Sequence, residues 1–347
     1  MVARRSQGLG DVGSCDHLPS AMLKSRDHVV EPRLRPLNAL IGLVTRGDVN
    51  PSTLADVGFR LVGLEVPIAG SRGTVTVDAI LLHEPSAHLL LCEVKSGANA
   101  DEDQAVRYAA ADPHAVVQAG HVTLPRRVAP TTEVVYVCLG EHLSRIQQGF
   151  QAAAVRFPIV AVHGDKITLE TVGNMSDHLR APFAAGPILL QCPPIRFIAF
   201  DQYSPLEVII PFIKSELITA LANRIPQVTI AGLAERTAPY YGLYGRRAQG
   251  QLRKRVGEAA REIAKANSAN FAYDPPTSNR DGLVRLLKTP EDNDTRGRTQ
   301  AYQALARRDH TYRRRPRRLD PNQLDLLQEL DQAEETADEE ETQDEED

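Results

Sequence analysis

Tryptophan is missing from this 347-residue chain, and aromatic residues supply only 5% of it. So low an aromatic content leaves little flat surface on which unpaired bases could stack. Cysteine is scarce as well. Cys15, Cys92, Cys138 and Cys192 stand far apart, and no pair has metal-ligand spacing, which argues against a zinc ribbon or a disulfide-stapled scaffold. Cys92 and Cys138 lie in apolar runs and read as reduced core residues, in keeping with a cytoplasmic protein. No run approaches the roughly 18 apolar residues of a membrane span. The opening stretch, MVARRSQGLGDVGSCDHLPS, is basic without an apolar h-region, so no secretory signal is expected.

Apolar residues, by contrast, make up 42% of the chain, enough for real cores in two domains or one large domain with appendages. Net charge is −5, unevenly spread. Glu329 to Asp347 hold 12 acidic residues and no basic one, and without those acids the balance moves from −5 to +7. A basic body with an acidic tail points to a polyanionic partner.

Along the chain, residues 1–34 read as a flexible arm. RPLNALIGLV (35–44) has a helical pattern, and NPSTLADVGF fits a short helix with Asn50 as its cap and Gly58 as its stop. Three strands are expected at 60–68, 74–82 and 88–96, separated by turn residues. A helix over 100–111, a strand over 133–140, a helix over 142–154 and a strand over 157–164 follow. A meander followed by crossovers predicts a mixed sheet flanked by helices. Prolines cluster at 181–205, which reads as a linker. Beyond it, three helical patterns and a hairpin, FAYD then LVRLL, fit a winged helix-turn-helix over 206–290. Thr229 should cap the second of those helices. Pro211 would kink the first or mark its start. Residues 291–347 are polar, then basic, then acidic, and are expected to be disordered.

The stretch Val77 to Gly97, VDAILLHEPSAHLLLCEVKSG, raises the functional question. It reads as two buried strands, yet it holds Asp78, Glu93 and Lys95. Alternation puts Glu93 and Lys95 on one face with Val94 opposite. A turn near Pro85 brings Asp78 roughly opposite Glu93 or Lys95. Two carboxylates side by side repel, and a divalent cation would remove that cost. Mg²⁺ takes a few carboxylate oxygens and keeps several waters. It can polarise a phosphate and activate a water, while a lysine beside it stabilises developing charge.

The pattern Asp78, fourteen residues, Glu93-Val94-Lys95, followed by Gln104-Ala-Val-Arg-Tyr108 on the next helix, resembles the PD-(D/E)XK, or restriction-endonuclease-like, nuclease superfamily. Its RecB-type members carry a similar Q-x-x-x-Y element. The resemblance spans about residues 35–165. It implies Asp78 and Glu93 as ligands of Mg²⁺ or Mn²⁺, with the Val94 carbonyl as a third. It implies Lys95 as the catalytic lysine, and Gln104 and Tyr108 as supporting groups. Thr76-Val77 stands where many members have a proline before the aspartate. The glutamate that the family often places on its first helix could be Glu31 or Glu65.

The remaining signals are softer. His83 and His88 flank the expected turn and read as surface residues. GLYGRRAQG lacks the Lys-Ser/Thr of a phosphate loop. Arg246, Arg247, Arg253, Lys254, Arg255 and Arg261 lie around the third helix of the winged-helix pattern, with Arg280 and Arg285 on or near the wing, as expected of a module that meets DNA phosphates. Together these features predict a cytoplasmic, metal-dependent deoxyribonuclease with an α/β (α+β) restriction-endonuclease-like nuclease domain (35–180) and a winged-helix module. It would act on double-stranded DNA, with no membrane partner, and could work as a homodimer. The alternatives are a DNA-binding regulator that keeps a nuclease-like domain as a scaffold, and an RNA-directed nuclease.

Overall fold

The computed structural model describes residues 33–47, 50–97, 101–124, 128–170, 175–191, 197–278 and 280–287. Most of the N-terminal arm, Glu31, Cys15, Cys192 and the tail from 291 lie outside these residues.

A seven-stranded mixed sheet forms the first layer, its strands side by side in sequence order. β1 (Phe59–Gly70), β2 (Gly73–His83) and β3 (His88–Lys95) make an antiparallel meander. β4 (Thr131–Leu139) and β5 (Ile159–His163) then run parallel to β3. β6 (Lys166–Glu170) and β7 (Ile188–Leu189) complete the far edge antiparallel. The central strands are apolar on both faces because helices cover both. On one face, α1 (Leu34–Val44) buries Leu37, Leu40 and Ile41 against Leu81, Leu90, Val135 and Val137. On the other lie α3 (Glu102–Ala109), α4 (Pro113–Ala119) and α5 (Leu143–Ala152), which pack Tyr108, Val116, Ile146 and Phe150 against Ile80, Leu89, Leu91 and Tyr136.

Local chemistry explains the boundaries. α2 (Thr53–Asp56) follows Ser52, and Asn50 does not cap it; the Asn50 side chain accepts from the Gln191 N–H at 3.0 Å instead. Gly58, at φ +104°, ends that turn as expected. α3 begins later than the helical pattern suggests because the Asp101 carboxylate accepts from the Gln104 N–H at 3.0 Å and sets the start. The proline-rich segment is not a loose tether. α6 (Asp177–Arg180) runs into it, β7 lies within it, and Ile198 is clipped to α1: Asn38 Nδ2 donates to the Ile198 carbonyl at 2.9 Å while Asn38 Oδ1 accepts from the Ile198 N–H at 2.7 Å.

A second core follows. α7 (Leu206–Ala222) starts directly after Pro205 and contains Pro211, so the internal proline marks neither its start nor its end. β8 (Gln227–Thr229) leads into α8 (Ile230–Thr237), where Thr229 Oγ1 accepts from the Gly232 N–H at 3.1 Å as the sequence predicts. α9 (Arg246–Ala266) buries Leu252, Val256, Ala259, Ala260 and Ile263 against Ile213, Leu217 and Leu233. β9 (Phe271–Asp274) and β10 (Leu283–Leu286) form the hairpin, and β8 joins it in the order β8-β10-β9. The loop before β10 ties this unit together, because Asp281 Oδ2 accepts from the Ala231 N–H at 2.8 Å in the first turn of α8.

Candidate active site between the two units

Strand register brings the charges of the Val77–Gly97 stretch together. The β2–β3 ladder pairs Ala79 with Cys92 and continues toward the turn. Extended one residue the other way, it sets Asp78 beside Glu93. There the regular alternation of β2 breaks. Val77 and Ile80 bury in the layer of Tyr108, whereas Ala79 buries on the α1 side. At this irregularity the Asp78 side chain replaces a backbone acceptor: its Oδ2 takes the Val94 N–H at 2.7 Å. On β4, Tyr136 pairs with Glu93. On β1, the residue between Leu64 (paired with Ala79) and Val66 (paired with Val77) is Glu65, at φ +49°. Glu65, Asp78, Glu93 and Tyr136 thus form a row across four strands.

Each site residue has a defined partner. Lys95 Nζ lies 2.8 Å from Glu93 Oε1 and donates to Gln104 Oε1 at 2.7 Å. The Tyr108 hydroxyl donates to Glu93 Oε2 at 2.6 Å and lies 3.1 Å from the Thr76 carbonyl. The Q-x-x-x-Y pair therefore sits on one face of α3, Gln104 holding the lysine and Tyr108 the glutamate. Glu65 is held by Arg33, whose Nη2 lies 2.6 Å from Glu65 Oε1 and 2.8 Å from Asp201 Oδ2.

The electrostatics are those of a crowded acidic cleft. Burial raises the Asp78 carboxyl well above the usual carboxylate range, and Glu93 and Glu65 add to it. Burial also raises Glu65, although Arg33 acts against it. Tyr108 is pushed up by burial and by Glu93, which keeps its hydroxyl a donor. A cation in the cleft would relieve the repulsion that lifts Asp78. The donors are oxygens, which suit Mg²⁺ or Mn²⁺ better than softer metals. Among the described residues no three His, Cys, Asp or Glu side chains form a ready cage. An ion here would be held by Asp78 and Glu93 and would complete its shell with water and substrate, the usual habit of Mg²⁺.

The cleft, about 460 Å³, is lined by Asp78, Glu93, Val94 and Gln104 from the sheet side and by Arg247, Ala248 and Gln251 from α9. The second unit is thus one wall of the site. Its attachment is through backbone: the Gly245 N–H donates to the Leu64 carbonyl at 2.8 Å, and Tyr244 pairs with Leu64 as a short parallel bridge. Tyr244 and Ala248 bury in the α1-side core rather than in that of their own unit. A side chain at position 245 would place its Cβ 2.5 Å from the Glu65 carbonyl oxygen, so glycine is required there.

The basic residues read as DNA contacts separate into groups. Arg247 lines the acidic cleft, and Arg246 beside it is exposed. Arg253 and Lys254 border a broad groove between α9 and the hairpin, and Arg253 also donates to the Tyr241 hydroxyl. Arg255 is committed internally, to Glu258 and to the Ser204 carbonyl, both at 2.7 Å. Arg285 is paired with Asp274 at 3.0 Å. His83 and His88 are buried rather than on the surface. His83 stacks on His178 at 4.2 Å between centroids, and His88 lies 3.2 Å from Glu133, at the turn end of the β2–β3 ladder, whereas Asp78 and Glu93 stand at its other end. The sequence alone does not single out Arg33, Asp201, Tyr136 or Tyr203. Only the position of Tyr136, one residue pair along β4, follows a pattern that sequence could have supplied.

A family model, the MJECL32 domain, matches residues 34–177. The matched stretch runs from the start of α1 into α6 and contains Asp78, Glu93, Lys95, Gln104 and Tyr108. No curated protein and no solved structure matches the chain.

Proposed function

We propose that the protein is a metal-dependent deoxyribonuclease of the PD-(D/E)XK kind. The observation that carries this reading is the convergence of Asp78 and Glu93 in one cleft with Lys95 paired to Glu93, and with Gln104 and Tyr108 from the next helix bonded to Lys95 and Glu93. The α1–meander–α3–β4 order around it supports a restriction-endonuclease-like core. Three helices with a β8-β10-β9 sheet support a winged helix as the second unit.

In the reaction, water attacks phosphorus, one P–O ester bond breaks, and the leaving oxygen gains a proton. A bound Mg²⁺ would supply Lewis acidity and a more acidic water. Asp78 and Glu93 provide the anionic oxygens that would hold it. Tyr108 fixes the Glu93 carboxylate by donating to Oε2. Gln104 fixes the Lys95 ammonium, which lies where negative charge on the phosphoryl oxygens can be met. The burial of Glu93 and Tyr108 strengthens the contacts they make.

A second reading, a DNA-binding regulator with an inactive nuclease-like scaffold, draws on one observation. Lys95 and Tyr108 already occupy both Glu93 oxygens, so that carboxylate is satisfied without a metal. Cleavage of supercoiled and linear DNA with Mg²⁺ or Mn²⁺ separates the two. Cutting that Asp78→Ala and Lys95→Ala both abolish supports the nuclease. Intact DNA binding in EDTA, with no cutting by folded wild type in either metal, supports the regulator.

A further inference from the structure

One residue of the cleft is out of place in a site built only for duplex DNA. Tyr203 lines the same cleft as Asp78 and Glu93, yet it is 63% exposed. It is one of only four large apolar side chains that stand out among the described residues. Its position is fixed. The Arg33 guanidinium carbon lies 4.4 Å from its ring centroid, and the same guanidinium is anchored by Glu65 and Asp201. The backbone is fixed too, because the Tyr203 N–H donates to Asp201 Oδ1 at 2.9 Å. An exposed aromatic normally loses side-chain freedom when it binds. This one has largely given up that freedom already, which lowers the cost of using its open face.

A flat ring backed by a cation, standing at the mouth of an acidic phosphodiesterase-like cleft, suits one kind of ligand group. That group is a nucleobase released from its pair, since every base presents a π-face and stacking tolerates any sequence. In the same lining, Arg247 is exposed in the first turn of α9 and can meet the backbone phosphate attached to that base. We propose that Tyr203 is a base-stacking platform, with Arg247 as its phosphate contact, and that the cleft takes single-stranded DNA. This deepens the nuclease reading and rests on it for the identity of the cleft. It also departs from the duplex preference suggested by the low aromatic content: a single well-placed ring matters more than the overall percentage.

The test uses the full chain in EDTA, so that binding is read without cutting. The probe is an oligothymidylate carrying one 2-aminopurine, and a blunt hairpin duplex of matched charge is the control. Wild type should quench the 2-aminopurine on binding. Tyr203→Ala should lose that quench and bind the single strand about ten-fold more weakly, with its hairpin affinity unchanged. Tyr203→Phe should keep both. Arg247→Ala should lower single-strand affinity and flatten its salt dependence by about one unit of slope. The side chain of Tyr203 is exposed, and equal melting temperatures for the variants would show that folding is not the cause. The proposal is overturned if wild type binds the single strand without quenching or does not bind it. It is also overturned if Tyr203→Ala weakens single strand and hairpin equally or neither. Quenching by a wild type that never cuts DNA in Mg²⁺ or Mn²⁺ would overturn the nuclease reading and leave the platform standing.

Discussion

The Tyr108 hydroxyl and the Glu93 carboxylate are joined by a 2.6 Å hydrogen bond inside the sheet–helix interface. A buried acceptor that loses its donor costs about 1–3 kcal/mol. Tyr108→Phe should therefore lower the unfolding free energy by about that amount in urea titrations. It should also slow DNA cleavage, because Glu93 is left free to turn. A variant as stable as wild type would mean that water or Lys95 replaces the bond.

Lys95 and Glu93 form a largely buried ion pair at 2.8 Å. Removing one partner leaves a charge without its counter-ion. Lys95→Met should cost about 3 kcal/mol, and adding Glu93→Gln should recover part of it. Cleavage should fall at least about 100-fold in both variants, since recovered stability does not restore the ammonium. Chemical denaturation and initial cleavage rates, measured on the same preparations, separate the two effects.

The attachment of the second unit can be tested at Gly245. Gly245→Ala places a methyl group 2.5 Å from the Glu65 carbonyl oxygen, whereas a Cβ at Gly242 meets nothing within 4 Å. The first substitution should destabilise by about 1–3 kcal/mol and raise KM for DNA by displacing Arg247 and Gln251. The second should do neither. Equal behaviour of the two would show that the wall formed by α9 yields without cost.

The histidine cluster predicts acid sensitivity. Burial lowers the His83 imidazole from its ordinary value, His178 and His88 lower it further, and its bond with the Val57 carbonyl opposes them. The unfolded chain thus takes up a proton near about pH 6.5 before the folded one does, and stability falls as pH drops through the window below that value. Glu133 acts in the same direction at lower pH. Burial would raise it, but bonds with His88 and Ser176 hold it below its usual range. Its contribution is present above about pH 4.3 and is lost as pH falls through the lowered value. Asp78 and Glu65, both raised, act the other way, so the comparison must be differential. His83→Gln should be less sensitive than wild type to a change from pH 7.5 to 5.5 in urea. An unchanged difference would remove His83 from the account.

Much of the site was legible in sequence because strands and helices have fixed periods. The two-residue repeat put Glu93 and Lys95 on one face, and the four-residue interval put Gln104 and Tyr108 on another. What stayed hidden depends on contacts between distant segments. Arg33 meets Asp201 across more than 160 residues. β7 is two residues long and is strand only because β6 pairs with it. Asn50 has the chemistry of a cap, but its oxygen takes the Gln191 N–H from across the fold. His83 and His88 flank a turn, which suggests water, yet α6 brings His178 over them. The partners of Arg255 and Arg285 stayed hidden too, because nothing local in the sequence announces Glu258, Ser204 or Asp274.

The clip between Asn38 and Ile198 bears on where the folding unit ends. Asn38 is 2% exposed and spends its side-chain amide on the backbone of a residue 160 positions away. The family match stops at residue 177. A fragment cut there would keep Asp78, Glu93, Lys95, Gln104 and Tyr108, but it would strand a donor and an acceptor under α1 and strip β7 from the sheet edge. The segment that recurs as a recognisable sequence and the segment that can stand alone in solution are therefore different objects, and the second reaches at least to residue 198.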